Sequence, residues 1–155
     1  MARCDRTPAR LARVDTHADC HLTLTTPGEG FTDFTREAAA FLSEIGARDG
    51  LLTAFCRHTS ASLTIQENAD PDVQRDLLTA LDRLAPQQAG WVHDTEGPDD
   101  MPAHVRTLIS GVSLAIPVSG GRLALGTWQG LYLIEHRSRA QRREVVLAFT
   151  GHAVS

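Results

Sequence analysis

The chain has 155 residues, 42% of them hydrophobic and 22% charged, with 15 basic and 19 acidic side chains, seven histidines and a formal net charge of -4. That length and balance fit one folded domain and exclude a disordered chain, and the acidic excess argues against a dedicated nucleic-acid binder. All fifteen basic residues are arginine, so Schiff-base chemistry and a lysine-dependent phosphate loop are excluded, leaving imidazole, carboxylate and guanidinium groups to carry any reaction.

Residues 1–15 read as a loose, charged tail without the apolar stretch of a secretory signal, and residues 1–17 are set apart from a domain spanning 18–155. No run reaches the roughly 18 apolar residues of a membrane span. Cys4, Cys20 and Cys56 are widely spaced and read as reduced thiols of a cytoplasmic protein. Leu22 and Leu24 alternate with polar residues as in a strand ending at Pro27-Gly28. Phe34, Ala38, Phe41, Leu42 and Ile45 recur at helical spacing, which predicts a helix from Thr32 or Asp33 to just before Gly50.

The next stretch, 50–68, reads as extended chain. Phe55, Thr59, Ala61, Leu63 and Ile65 fall on one face, and Cys56, His58, Ser60, Ser62, Thr64 and Gln66 on the other. Asp70 and Pro71 announce a helix whose stripe would be Val73, Leu77, Leu81 and Leu84. A polar loop follows, then a short helix from about Met101 with Val105, Leu108 and Ile109 inward. Strand patterns fill the remainder, with Ser119-Gly120-Gly121 as a hairpin turn. Consecutive strands without crossover helices make the class α+β, a mostly antiparallel sheet with two to three helices.

Three stretches could carry chemistry. The loop from His93 to Asp100 holds one imidazole and four carboxylates (Asp94, Glu96, Asp99, Asp100), and His104 follows on the helix. Crowded carboxylates raise one another's pKa unless a cation compensates, and mixed nitrogen and oxygen donors suit Zn²⁺, Mn²⁺ or Fe²⁺, an all-oxygen subset Mg²⁺. The alternative on spacing is a solvated turn with Asp99 or Asp100 capping the next helix. Around His58, Ser60 and Ser62 suit ligand-lining better than a serine nucleophile, because no nucleophile elbow is present. Glu67 and Asn68 suit a turn. In the third stretch, Glu135 and Arg137 are either a weak same-strand ion pair or a site carboxylate with an anion anchor. Trp128 suits a core or interface anchor. His17, His21, His136 and His152 need only surface or strand positions.

Taken together, HTSASLTIQENADPDV, HDTEGPDDMPAH and GRLALGTWQGLYLIEHR resemble the YjbQ family of secondary thiamine-phosphate synthase-like proteins, over roughly residues 18–152. The resemblance implies a compact α+β domain assembled as a homotrimer. It places the family's motif histidines on His58, His93 and His104, which become candidate ligands of a divalent metal, zinc or magnesium. Its acidic positions fall on Glu67, Asp99, Asp100 and Glu135, which become candidate catalytic groups. Thr59, Ser60, Asn68, Trp128, Gln129 and Arg137 become candidate substrate contacts. Many relatives carry HTTA in place of His58-Thr59-Ser60-Ala61 and Asp-Asn in place of Asp99-Asp100, and an acidic residue where His136-Arg137-Ser138-Arg139 is basic here.

The implied reaction joins a hydroxymethylpyrimidine diphosphate to a thiazole phosphate, as a weak and promiscuous activity. Asp94, Glu96, Asp99 and Asp100 would hold the metal, and Arg57, Arg106 or Arg137 would meet phosphate. One alternative is a metal-dependent hydrolase of a small polar or phosphorylated metabolite, with Glu67 or Glu135 as general base. Another is a non-catalytic trimer that binds a metal or metabolite. The expected partner is a small molecule, not nucleic acid or membrane.

Overall fold

The computed structural model describes residues 4–154, and every strand pair in it is antiparallel. β1 (Thr16–Thr26), β2 (Gly30–Asp33), α1 (Thr35–Glu44), β3 (Ala47–Cys56), β4 (Ala61–Glu67), α2 (Pro71–Leu84), α3 (Asp100–Ser110), β5 (Ser113–Ser119), β6 (Arg122–Leu123), β7 (Gln129–Glu135) and β8 (Gln141–Ala153) follow in chain order. A five-stranded sheet runs β1-β8-β3-β5-β6, and a three-stranded sheet runs β2-β7-β4. The α+β class and the antiparallel sheets agree with the sequence pattern. No helix is long and apolar enough to cross a membrane.

Inward rows from both sheets meet in one core. Leu52, Ala54 and Cys56 of β3 and Val145, Leu147 and Phe149 of β8 join Leu63, Leu131 and Leu133, with Phe34, Phe41 and Leu42 added by α1. Several expectations need correction. The first helix is shorter at both ends. Phe31–Asp33 pair with β7, and Gly46 at φ +63° ends the helix so that residues from Ala47 join β8. The extended stretch 50–68 is two strands in different sheets. Crossing between sheets flips its parity: Leu52, Ala54 and Cys56 point inward on β3, whereas Ala61 and Leu63 do so on β4. His58, Ser60 and Ser62 therefore share no face.

Helix α2 is capped by Asp70, whose side chain accepts from the Asp72 amide. Its stripe is only half-buried, and Leu84 is exposed. On α3 the inward side is rotated from the expected one. Asp100, Ala103, Arg106 and Thr107 are buried, while Leu108 is 85% and Ile109 55% exposed. The cause is Arg106, drawn inward by Glu29 and Asp82, which turns the apolar residues away. The Gly120-Gly121 hairpin is as expected: both glycines have positive φ, and Ser119 pairs with Arg122.

Candidate functional site

Helix α3 and the loop before it build the site. His93 Nε2 lies 2.8 Å and His104 Nε2 3.2 Å from the same oxygen, Oδ2 of Asp100. One donor atom from each of the three residues lies within 4.8 Å of the others. His104 and Asp100 are four apart on the helix, which stacks them on one face. Asp100 is 2% exposed, and its second oxygen is held by Arg137.

The tautomer of His104 gives this cluster its meaning. Its Nδ1 lies 2.9 Å from the carbonyl oxygen of Thr59. A carbonyl only accepts, so Nδ1 carries the proton. In the neutral ring Nε2 then presents a lone pair to a carboxylate oxygen that also has only lone pairs. Two such acceptors face each other at 3.2 Å stably only with a proton or a cation between them. An imidazole with one nitrogen tied to a backbone carbonyl and the other free is the usual dress of a metal ligand. Donors around a tetrahedral zinc ion stand about 3.3 Å apart, comparable with the 2.8 and 3.2 Å from each imidazole to Asp100, so this donor set could hold such an ion.

His58 does not join them. Its Nε2 accepts from the backbone amide of Glu144 at 2.8 Å, so that nitrogen is spent. Burial, with the nearby Arg143 guanidinium adding to it, lowers the His58 pKa. An open cleft of about 530 Å³ beside the cluster is lined by Phe55, His58, Thr59, His104, Thr107 and Val112, among others. Thr59 thus reaches the site through its carbonyl and the cleft wall.

Other candidates hold structure. Asp99 accepts from the Ser138 amide at 2.8 Å and hydroxyl at 2.9 Å, and from Arg137. Burial alone would push its carboxyl up, but these donors together outweigh burial and hold it at about 2. Glu135 is fully buried, gripped at both oxygens by Arg143 at 2.7 and 2.6 Å and by the Thr26 hydroxyl at 2.9 Å. Glu135 therefore has no free oxygen to act through as acid or base, and Asp99, with three bonds on Oδ2 and Arg137 beside Oδ1, is held as an ionised anchor. Arg137 is not Glu135's ion-pair partner and is not a free anion anchor, because Asp99, Asp100 and the Glu96 carbonyl occupy it. Ser60 accepts from Arg143 at 3.1 Å.

A separate group forms at the far end of β4. Glu67 faces Gln129 in the register, and the Asn68 amide bonds the Trp128 carbonyl at 3.1 Å. The six residue steps from Ala61 to Glu67 span about 20 Å. Glu67, Asn68, Trp128 and Gln129 therefore stand apart from the His93–Asp100–His104 cluster within one chain. Glu67 accepts from the Asp70 amide and Gln129 from the Gly126 amide, so they shape turns. Trp128 is 65% exposed.

The residue most clearly underrated is His136. It is 1% exposed, with Nε2 2.8 Å from the Ser62 hydroxyl and Nδ1 without a partner among the described residues. Burial first, and the Arg106 charge second, push its pKa down to about 4. A histidine held neutral when folded and near 6.5 when unfolded stabilises the fold fully above that value. The contribution, roughly 3 kcal/mol, is lost as pH falls from about 6.5 through about 4. Urea unfolding at pH 7 and pH 4.5 should show this loss in the native chain and a smaller one in His136→Gln.

Comparison with known proteins follows the same blocks. Residues 20–152 match the family described as UPF0047 protein YjbQ-like. A UPF0047 protein of Synechocystis is 47% identical over 131 residues, covering 84% of this chain and 89% of the relative. The UPF0047 protein YjbQ of Salmonella typhimurium is 43% identical, covering 84% of this chain and 95% of the relative. A solved YjbQ/UPF0047 family structure from Clostridium acetobutylicum superposes with TM-score 0.78 at 37% identity, covering 84% of this chain and 98% of that one. A YbjQ-like protein of unknown function from Sulfolobus solfataricus has the same fold, with TM-score 0.79 at 20% identity, over 88% of this chain and 100% of its own. By sequence and by fold, the chain belongs to the YjbQ (UPF0047) family.

Proposed function

We propose that this protein is a divalent-metal-dependent enzyme acting on a small phosphorylated metabolite, with His93, Asp100 and His104 as the metal ligands. The observation that carries this is that Nε2 of both His93 and His104 faces one oxygen of the buried Asp100 while the other ring nitrogen of His104 is tied to Thr59. Two carboxylates, Asp99 and Asp100, against the single guanidinium of Arg137 leave the site net negative, which favours a dication. When bound, such a cation supplies Lewis-acid charge for a phosphate or a polarised oxygen. Arg137 and the Thr59 carbonyl orient Asp100 and His104, and Ala103 and Thr107 anchor the helix that carries them.

Of the arginines available for phosphate, Arg57 is held by Glu144, Arg106 by Glu29 and Asp82, and Arg137 by Asp99 and Asp100. A cavity of about 410 Å³ beyond the Asp99–Arg137 pair offers the exposed Arg139 instead. The secondary thiamine-phosphate synthase reaction is one of the class proposed. The hydrolase reading loses support, because Glu135 is saturated and Glu67 is remote. A homotrimer is part of the proposal, supported by apolar residues left outward away from the cleft, Leu51 on β3 and Ile109 on α3.

The test assays synthase turnover with hydroxymethylpyrimidine diphosphate and thiazole phosphate before and after chelator treatment, alongside elemental analysis. Turnover should disappear with the metal and return on adding zinc or magnesium. Unchanged turnover in metal-stripped protein would sink the metal-dependent reading.

A further inference from the structure

We infer that His58 binds the ligand of the cleft and not the metal, presenting Nδ1–H as a hydrogen-bond donor to a carboxylate or phosphate oxygen. This rests on the proposed metal site at His104, and extends it to the cleft that His104 also lines. The argument starts from a backbone amide. The Glu144 N–H can only donate, so His58 Nε2, 2.8 Å away, must be the unprotonated nitrogen. The neutral ring therefore carries its proton on Nδ1. A second proton would break the Glu144 bond, and the buried Arg143 nearby opposes it.

Nδ1 meets no partner among the described residues, and the ring is half-buried in the cleft wall. The adjacent cation is spent, since Arg57 pairs with Glu144 at 2.9 Å. Phe55 and Val112 supply an apolar wall beside it. A fixed neutral donor on such a wall selects an oxygen acceptor carried by an apolar body. It cannot be satisfied by a cation, which separates its role from that of His104, whose tautomer leaves Nε2 as the free lone pair.

Histidine side-chain nitrogen NMR on the intact protein, with and without Zn²⁺, tests this, using benzoate and phenyl phosphate as probes. His58 should show a protonated Nδ1 and an unprotonated Nε2 in both states, and zinc should move the signals of His93 and His104 but not of His58. One or both probes should shift the His58 Nδ1–H signal saturably, the pair distinguishing a carboxylate from a phosphate oxygen. His58→Gln can still accept from Glu144. It should weaken probe binding about tenfold or more and leave zinc affinity unchanged. Proton placement on Nε2, coordination shifts of His58 on adding zinc, or no His58 response to either probe would overturn the inference. These wild-type readings stand even if His58→Gln does not fold. If zinc leaves His93 and His104 unmoved, the metal reading fails by itself, while tautomer and probe response still decide the role of His58.

Discussion

Asp100→Asn should reduce zinc affinity by more than about 100-fold. Loss of an outer partner of a metal ligand already costs 10–100-fold, and Asp100 is proposed as a ligand itself. An amide keeps the volume and can still bond one imidazole, so the fold is expected to survive. Arg137 retains Asp99 and the Glu96 carbonyl after the change. The metal-free protein should lose only about 1–3 kcal/mol, the cost of disturbing a buried hydrogen-bonded charge. Calorimetric zinc titration at pH 7 measures the first effect and urea unfolding the second. In the native chain zinc should also raise the melting temperature by mass action, and Asp100→Asn should remove that rise. Zinc binding to the variant as to the native chain would place the ion elsewhere.

Arg143→Ala should be the more damaging change to stability, by about 3–5 kcal/mol. It strands Glu135, fully buried, with its charge met, among the described residues, only by the Thr26 hydroxyl and the Arg137 amide. The same truncation leaves the Ser60 carbonyl and hydroxyl without their donor. The double change Glu135→Leu with Arg143→Met removes both charges and should recover much of the loss, since an apolar pair of similar volume fills such a site at little cost. Denaturant midpoints of the single and double variants form the cycle. Equal losses in both would show that the ion pair is not what Arg143 supplies.

Much of this pairing was legible in strand periodicity. Val145, Leu147 and Phe149 alternate inward along β8, and continuing the row backwards reaches Arg143. Leu131 and Leu133 on β7 continue forwards to Glu135. Two inward rows that end in opposite charges call for a buried pair. Reading Glu135 against its near neighbour Arg137 hid this, because sequence proximity is a poor guide between strands. His136 was missed for a related reason: the β7 end is buried on both faces, so alternation no longer separates inside from outside.

The metal candidates were partly legible. His93, Asp100 and His104 fall within one block, and the four-residue step from Asp100 to His104 is a helical neighbour relation. Excluding His58 required knowing that β8 passes beside it and offers an amide, a tertiary fact outside any local pattern. The face of α3 is not legible locally, because its stripe of Val105, Leu108 and Ile109 suggests a core side while the ion pairs of Arg106 decide the rotation. The turn residues Glu67, Asn68 and Gln129 belong to a second end of the sheet, and only the β4–β7 register reveals the separation.

The placement of β8 also dictates an order of events in the cell. It is the last of the eight described strands in chain order, yet it lies between β1 and β3 in the larger sheet. Among the described residues β1 pairs with no other strand, and its Thr16 waits for Gly151, far along the chain. During synthesis, then, the emerging chain exposes an unpaired edge on β1 and on β3 until β8 has left the ribosome. Long-range closure of this kind is slow, and open edges are prone to wrong pairings. The gap left for β8 holds back closure of the five-stranded sheet until residues 141–153 have been made, and makes loss of those residues a loss of the sheet's middle.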